Sequence, residues 1–178
     1  SSGSSAILGI GKIAETSERA NSQTFLNELC ALLEVPKPHT GNTGDYCFEH
    51  PVARVNEDGT KRADGRIDLY KKGCFVLESK QIDEKVRASP SKYGDELSRA
   101  RAQAEGYAKA LEEWPPFLVV VDVGHVIELF ADFSRSGKRY LPFKDAATSR
   151  LQLADLRNEE VRARLRQVWL DPMSLDPS

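Results

Sequence analysis

The stretch Gly65 to Gln81 constrains the fold more than any other part of the chain. Two alternating runs, Gly65-Arg66-Ile67-Asp68-Leu69-Tyr70 and Cys74-Phe75-Val76-Leu77-Glu78-Ser79-Lys80-Gln81, flank Lys71-Lys72-Gly73 in the pattern of a β-hairpin. A register centred near Gly73 sets Asp68 opposite Glu78. Side chains alternate along a strand, so Ile67, Leu69, Phe75 and Leu77 are predicted on one face and Asp68, Tyr70, Val76, Glu78 and Lys80 on the other. Two carboxylates and a lysine would then converge on a hairpin whose opposite face is apolar.

The flanking sequence supplies layers to cover it. Phe25, Leu26, Leu29, Leu32 and Leu33 recur at helical spacing, predicting a helix over Ser17 to Glu34 that Val35-Pro36-Lys37-Pro38 stops. His39 to Asp45 reads as a loop, Tyr46 to Val55 as a strand and Asn56-Glu57-Asp58-Gly59 as a turn. A second helix is predicted over Lys92 to Glu113, with Leu97, Ala104, Ala108 and Leu111 as its buried stripe, ended by Trp114-Pro115-Pro116. Phe117 to Val123 has the composition of a buried central strand, and His125 to Phe133 follows it across Gly124 as a hairpin partner. A last helix is predicted over Ala154 to Leu170. The sum is an α/β domain over 17–170, a central mixed β-sheet flanked by helices. Residues 1–16 read as a disordered or artificially added lead, and 171–178 as the start of a linker.

Composition narrows the function classes. The chain has 178 residues, 40% of them hydrophobic, enough for one substantial core. Its longest apolar run, Phe117 to Val121, is far shorter than the roughly 20 residues of a membrane span. Cys30, Cys47 and Cys74 are odd in number and widely spaced, which suggests neither a disulfide framework nor a zinc knuckle and fits a reducing, cytoplasmic setting. A formal net charge of −2 argues against holding DNA by bulk electrostatics alone.

Hydrolysing a phosphodiester requires charge stabilisation at the phosphate and hydroxide made from water at neutral pH, and magnesium supplies both. It takes hard oxygens: Asp68 and Glu78 could give two carboxylates and Ser79 a backbone carbonyl, while Lys80 faces the same water to orient it or take its proton. The plainer reading of these residues is a solvated strand face. On the following helix Gln103 and Tyr107, four residues apart, share a face. Gln81, directly after the lysine, joins them as an accessory candidate. Lys61, Arg62, Arg66, Lys71 and Lys72 cluster around the hairpin as candidate phosphate contacts, with a solvated charge run as the alternative. Glu18 sits near the apolar meridian of the first helix, and an acid is favoured in a first helical turn.

An aspartate followed after nine residues by Glu-x-Lys resembles the active-site motif of the PD-(D/E)XK nucleases, and Gln103-x-x-x-Tyr107 resembles the helix motif beside the site in RecB-like members. The similarity extends over Glu18 to Cys30, Gly65 to Gln81, Pro115 to Gly124 and the closing Val168-Trp169-Leu170-Asp171-Pro172, which resemble the N-terminal domain of MmeI-like restriction enzymes. That resemblance implies a PD-(D/E)XK restriction-endonuclease-like fold and a magnesium-dependent endonuclease acting on double-stranded DNA. Since a first-helix glutamate can join the metal site in related nucleases, it also makes Glu18 a candidate additional metal-site residue, with a favoured acid in a first helical turn as the equal alternative. It also implies spacer, methyltransferase and target-recognition domains in the parent chain, with S-adenosylmethionine bound by the methyltransferase, and self-association for double-strand cutting. Trp114-Pro115-Pro116-Phe117 carries tryptophan where a methyltransferase motif needs Asn or Asp, so no methyl transfer is expected of this piece. The rival readings are a repair or junction-resolving nuclease on the same fold, and a non-catalytic DNA-docking module.

Overall fold

The computed structural model describes residues 9–11, 21–39, 41, 44–53, 65–137 and 139–178. Helix α1 spans Ser22–Leu33, and Asn21 caps it, its side chain accepting from the Thr24 amide at 3.0 Å; the expected stretch from Ser17 to Ala20 lies outside the described residues. Phe25, Leu26, Leu29, Cys30, Leu32 and Leu33 form its buried face. The helix closes on Glu34 in the left-handed conformation (φ 59°), with the Val35 amide reaching back to the Cys30 carbonyl at 3.0 Å. Arg166 from the last helix donates to the Leu33 carbonyl at 2.7 Å and completes that end.

Seven strands build one mixed sheet: β1 Tyr46–Val52, β2 Gly65–Lys71, β3 Phe75–Lys80, β4 Phe117–Asp122, β5 Val126–Ala131, β6 Leu141–Pro142 and β7 Arg150–Gln152. They lie in the order β1-β2-β3-β4-β5, with β6 and β7 sharing the outer edge of β5 end to end. Among the named strands, β3 and β4 alone pair in parallel. A parallel pair needs a crossover, and the short helix α2 (Glu84–Arg87) with the long α3 (Pro90–Ala110) provides it.

Helices cover both faces, as the apolar patterning predicts. On one side Leu69, Phe75, Leu77, Phe117, Val119, Val121, Ile127 and Leu129 meet α1 and the final helix α4 (Glu159–Leu170). On the other, Tyr70, Val76, Leu118, Val120, Val126 and Phe130 meet Tyr93, Leu97, Ala100, Ala104, Tyr107 and Ala108 of α3. The hydrophobic stripe of α3 is thus wider than predicted, taking in two tyrosines. The expected last helix over Ala154 to Leu170 is split: Leu153–Arg157 is a 3-10 turn, and Asn158 caps a new start for α4. Strands β6 and β7, each two or three residues long, left too short a pattern to be read in the sequence.

One face assignment fails. Ile67 packs with Tyr70 and Val76 on the α3 side rather than with Leu69. The β2–β3 ladder runs from Lys71–Phe75 only to Leu69–Leu77, so β2 leaves its partner just where the predicted alternation breaks.

Candidate active site where two strands part

Asp68 and Glu78 are the next residues on each strand beyond that last pair, which is the register read around Gly73. They do not stand side by side on one face. Asp68 Oδ2 accepts from the Ser79 amide at 2.8 Å and from Ser79 Oγ at 3.2 Å, so the carboxylate caps the N–H that β2 would otherwise pair. Within an extended residue N–H and C=O point to the same edge, and the Ser79 carbonyl is therefore also directed toward β2. Asp68 further lines a cavity of about 310 Å³ with Asn21, Ser22, Gln23 and Leu26 of α1 and Glu49 of β1. Glu78 and Lys80 alternate with Val76 toward α3, Glu78 only 3% exposed. The two carboxylates thus approach one seam from its two sides.

Lys80, half-buried, donates from Nζ to Gln103 Oε1 at 3.1 Å, and Gln103 Nε2 donates to the Tyr107 hydroxyl at 2.9 Å. The helical spacing of four makes this relay possible. It ends against Gly65: a Cβ there would lie 2.4 Å from the Tyr107 ring, so only glycine admits the tyrosine at the start of β2. Sequence reading found the glutamine and tyrosine but not this requirement. Gln81 is exposed.

The basic residues divide. Arg66 is exposed, two positions from Asp68, with Nη1 donating to the Glu49 carbonyl at 3.3 Å. Lys71 sits at the turn end of the hairpin, three residues and roughly 10 Å along the strand from Asp68, donating to the Trp169 carbonyl and lying 5.4 Å from the Tyr46 ring centroid. Lys72 borders a cavity with Asp45, Glu112 and Glu113, an acidic setting away from the seam. Glu18, Lys61 and Arg62 lie outside the described residues.

Asp122 was missed. It is fully buried at the end of β4, beside Lys80 in the parallel register. Tyr93 donates its hydroxyl to Asp122 Oδ2 at 2.6 Å, Arg87 Nε reaches the same oxygen at 3.0 Å, and the Ile82 amide reaches Oδ1 at 3.4 Å. The carboxylate hydrogen bond raises the Arg87 pKa above its ordinary value, and burial, then Asp122, raises that of Tyr93. An acid closing a run of valines is the signal that could have found it, because a buried carboxylate demands a cation. Among the described residues no three His, Cys, Asp or Glu side chains gather closely enough to hold a metal by themselves.

The family model described as MmeI, N-terminal domain, matches residues 6–176. No curated protein and no solved structure matches the chain.

Proposed function

The chain belongs to the family of MmeI N-terminal domains, part of a restriction-modification enzyme, and from that premise we propose that it is a magnesium-dependent DNA endonuclease domain. The observation that carries the proposal is the hydrogen bond from Ser79 to Asp68 where β2 leaves β3, with Glu78 and Lys80 flanking that serine and the lysine held by a glutamine.

The donor set fits the metal. Two carboxylates and one carbonyl are all hard oxygens, and their small number suits an ion that keeps several waters. Asp68 Oδ2 is occupied by Ser79, so coordination falls to Oδ1, together with Glu78 and the Ser79 carbonyl. Bound there, magnesium would stabilise charge on the scissile phosphate and acidify a water. Ser79 fixes the Asp68 carboxylate in place before any ion arrives. Lys80 keeps one hydrogen on Gln103 and has two more to orient the water or to meet a phosphate oxygen. Tyr107 holds the glutamine's amide, which sets which end of Gln103 faces the lysine.

With a net charge of −2 and Lys71 committed elsewhere, the domain has few cations to spend on DNA. Double-stranded DNA is then delivered by methyltransferase and target-recognition domains of a parent chain, where S-adenosylmethionine would bind. The test is plasmid nicking by this chain at high concentration, in magnesium, in calcium and in chelator. Cutting that requires magnesium and disappears in Asp68→Ala and Glu78→Ala, with circular dichroism unchanged, supports the assignment. Undiminished cutting in either variant would remove it.

A further inference from the structure

Strands β3 and β4 run parallel, and their register sets Lys80 beside Asp122. Ladder partners present their side chains on the same face with strands about 5 Å apart, a gap that a lysine side chain spans. A fully buried carboxylate is costly without a cation, and the neighbouring lysine is the nearest one along the ladder. Yet Asp122 is paired to Arg87, through Nε at 3.0 Å and Nη2 at 3.4 Å, while Lys80 turns to the neutral amide of Gln103. Arg150, 5.9 Å from the Tyr93 ring, is itself paired to Glu128 at 3.0 Å.

We propose that Arg87 is a positioning residue that occupies Asp122 and so prevents the buried carboxylate from capturing Lys80. An arginine suits the task because its fork reaches both carboxylate oxygens while Nη2 also donates to the Ile82 carbonyl at 2.7 Å, fixing the cation to the segment that follows β3. Removing Arg87 leaves Asp122 with the Tyr93 hydroxyl and the Ile82 amide but no compensating charge. Lys80 then swings across the ladder, leaves Gln103, and is lost to the seam between Asp68 and Glu78. The consequence for cleavage rests on the nuclease reading; the exchange of partners does not.

The experiment compares this chain with Arg87→Met, Asp122→Asn and the double variant. In the metal-free protein, acylation of Lys80 by acetic anhydride is followed by mass spectrometry against exposed Lys72. Magnesium-dependent nicking is measured in parallel. Arg87→Met is expected to slow Lys80 acylation by about fivefold or more and nicking by about tenfold, as an ion pair ties the amine down. Adding Asp122→Asn, which removes the buried charge, restores both to within about twofold of the Asp122→Asn variant alone. Lys80 acylation unchanged by Arg87→Met, or a loss that the double variant retains, overturns the inference. Should Arg87→Met not fold, the comparison within the Asp122→Asn background decides: Arg87 must there be silent toward Lys80, and a further fall in acylation refutes the role. Absence of magnesium-dependent nicking in the unmodified chain would sink the nuclease reading while the acylation series still judges Arg87.

Discussion

The hairpin of β2 and β3 has two ends that its sequence makes look alike and its structure makes different. Each carries a lysine beside apolar residues. At the turn, Lys71 is used up on the Trp169 carbonyl and the Tyr46 ring, Cys74 Sγ reaches the same carbonyl at 3.4 Å, and Phe75 packs on the Trp169 ring at 4.5 Å. At the other end the strands separate, and Lys80 is held by a side chain that is itself held by another. A contact to main chain is satisfied by folding alone; a chain of side-chain contacts keeps an ammonium in one place while leaving its other hydrogens to spare. In the proposed nuclease the closed end serves stability and the open end chemistry.

The contrast fails if substitutions at the two ends have the same effect. Trp169→Ala, which empties a fully buried site under Phe75, should cost about 3 to 5 kcal/mol of stability in urea titration; a loss under about 1 kcal/mol would mean that the turn end is not a sealed core. Lys80→Ala should slow magnesium-dependent nicking by roughly 100-fold or more while the urea midpoint barely moves, whereas Lys71→Ala should lower the midpoint and leave nicking within about twofold. Equal nicking losses would collapse the distinction between the lysines. Gln103→Ala is expected to slow nicking by about tenfold and Tyr107→Phe by less, because the phenylalanine keeps the ring against Gly65 while losing the hydroxyl that accepts from the glutamine.

The smallest effect is in alkali. Burial raises the thiol pKa of Cys74 above its ordinary 9.0 and the Tyr46 hydroxyl above its ordinary 10.0, both at the closed end, while Tyr70 is pushed up to about 12. The unfolded chain ionises first, so the stability these groups contribute is whole below pH 9 and declines as pH rises from there toward the folded values. Thermal midpoints that stay flat from pH 8 to 11 would show that burial at this end is weaker than the contacts imply.

The two ends were also unequally legible in the sequence. The register that sets Asp68 across from Glu78 was legible because one glycine turn fixes it within twenty residues, but the alternation expected to put both on one face breaks at Ile67. The pairing of Gln103 with Lys80 was half legible: helical spacing put Gln103 and Tyr107 on one face, but only tertiary packing turns that face to the hairpin. The contact of Lys71 was not legible because its partner, the Trp169 carbonyl, lies 98 residues away and belongs to the main chain, which no side-chain pattern advertises. The same holds for Asp122, whose partners come from two other segments, and for Gly65, whose reason is the ring of Tyr107. The sheet's central strands were read nearly to the residue; its margins were not, since β6 and β7 carry too few residues for a period.

Those margins bear on how several copies behave when crowded together. A sheet with a long unpaired rim invites strand-to-strand addition from a neighbour. Here one rim is divided between two fragments of strand, and the other is kinked by Glu49 in a left-handed conformation (φ 52°) and met near its start by His39, whose amide reaches the Tyr46 carbonyl at 3.1 Å. Among the described residues neither rim offers a straight run of backbone donors and acceptors. Such rims resist zipping together of crowded copies through their sheets, and in the proposed nuclease any pairing of copies would be made through helices and loops, where it can form and come apart again.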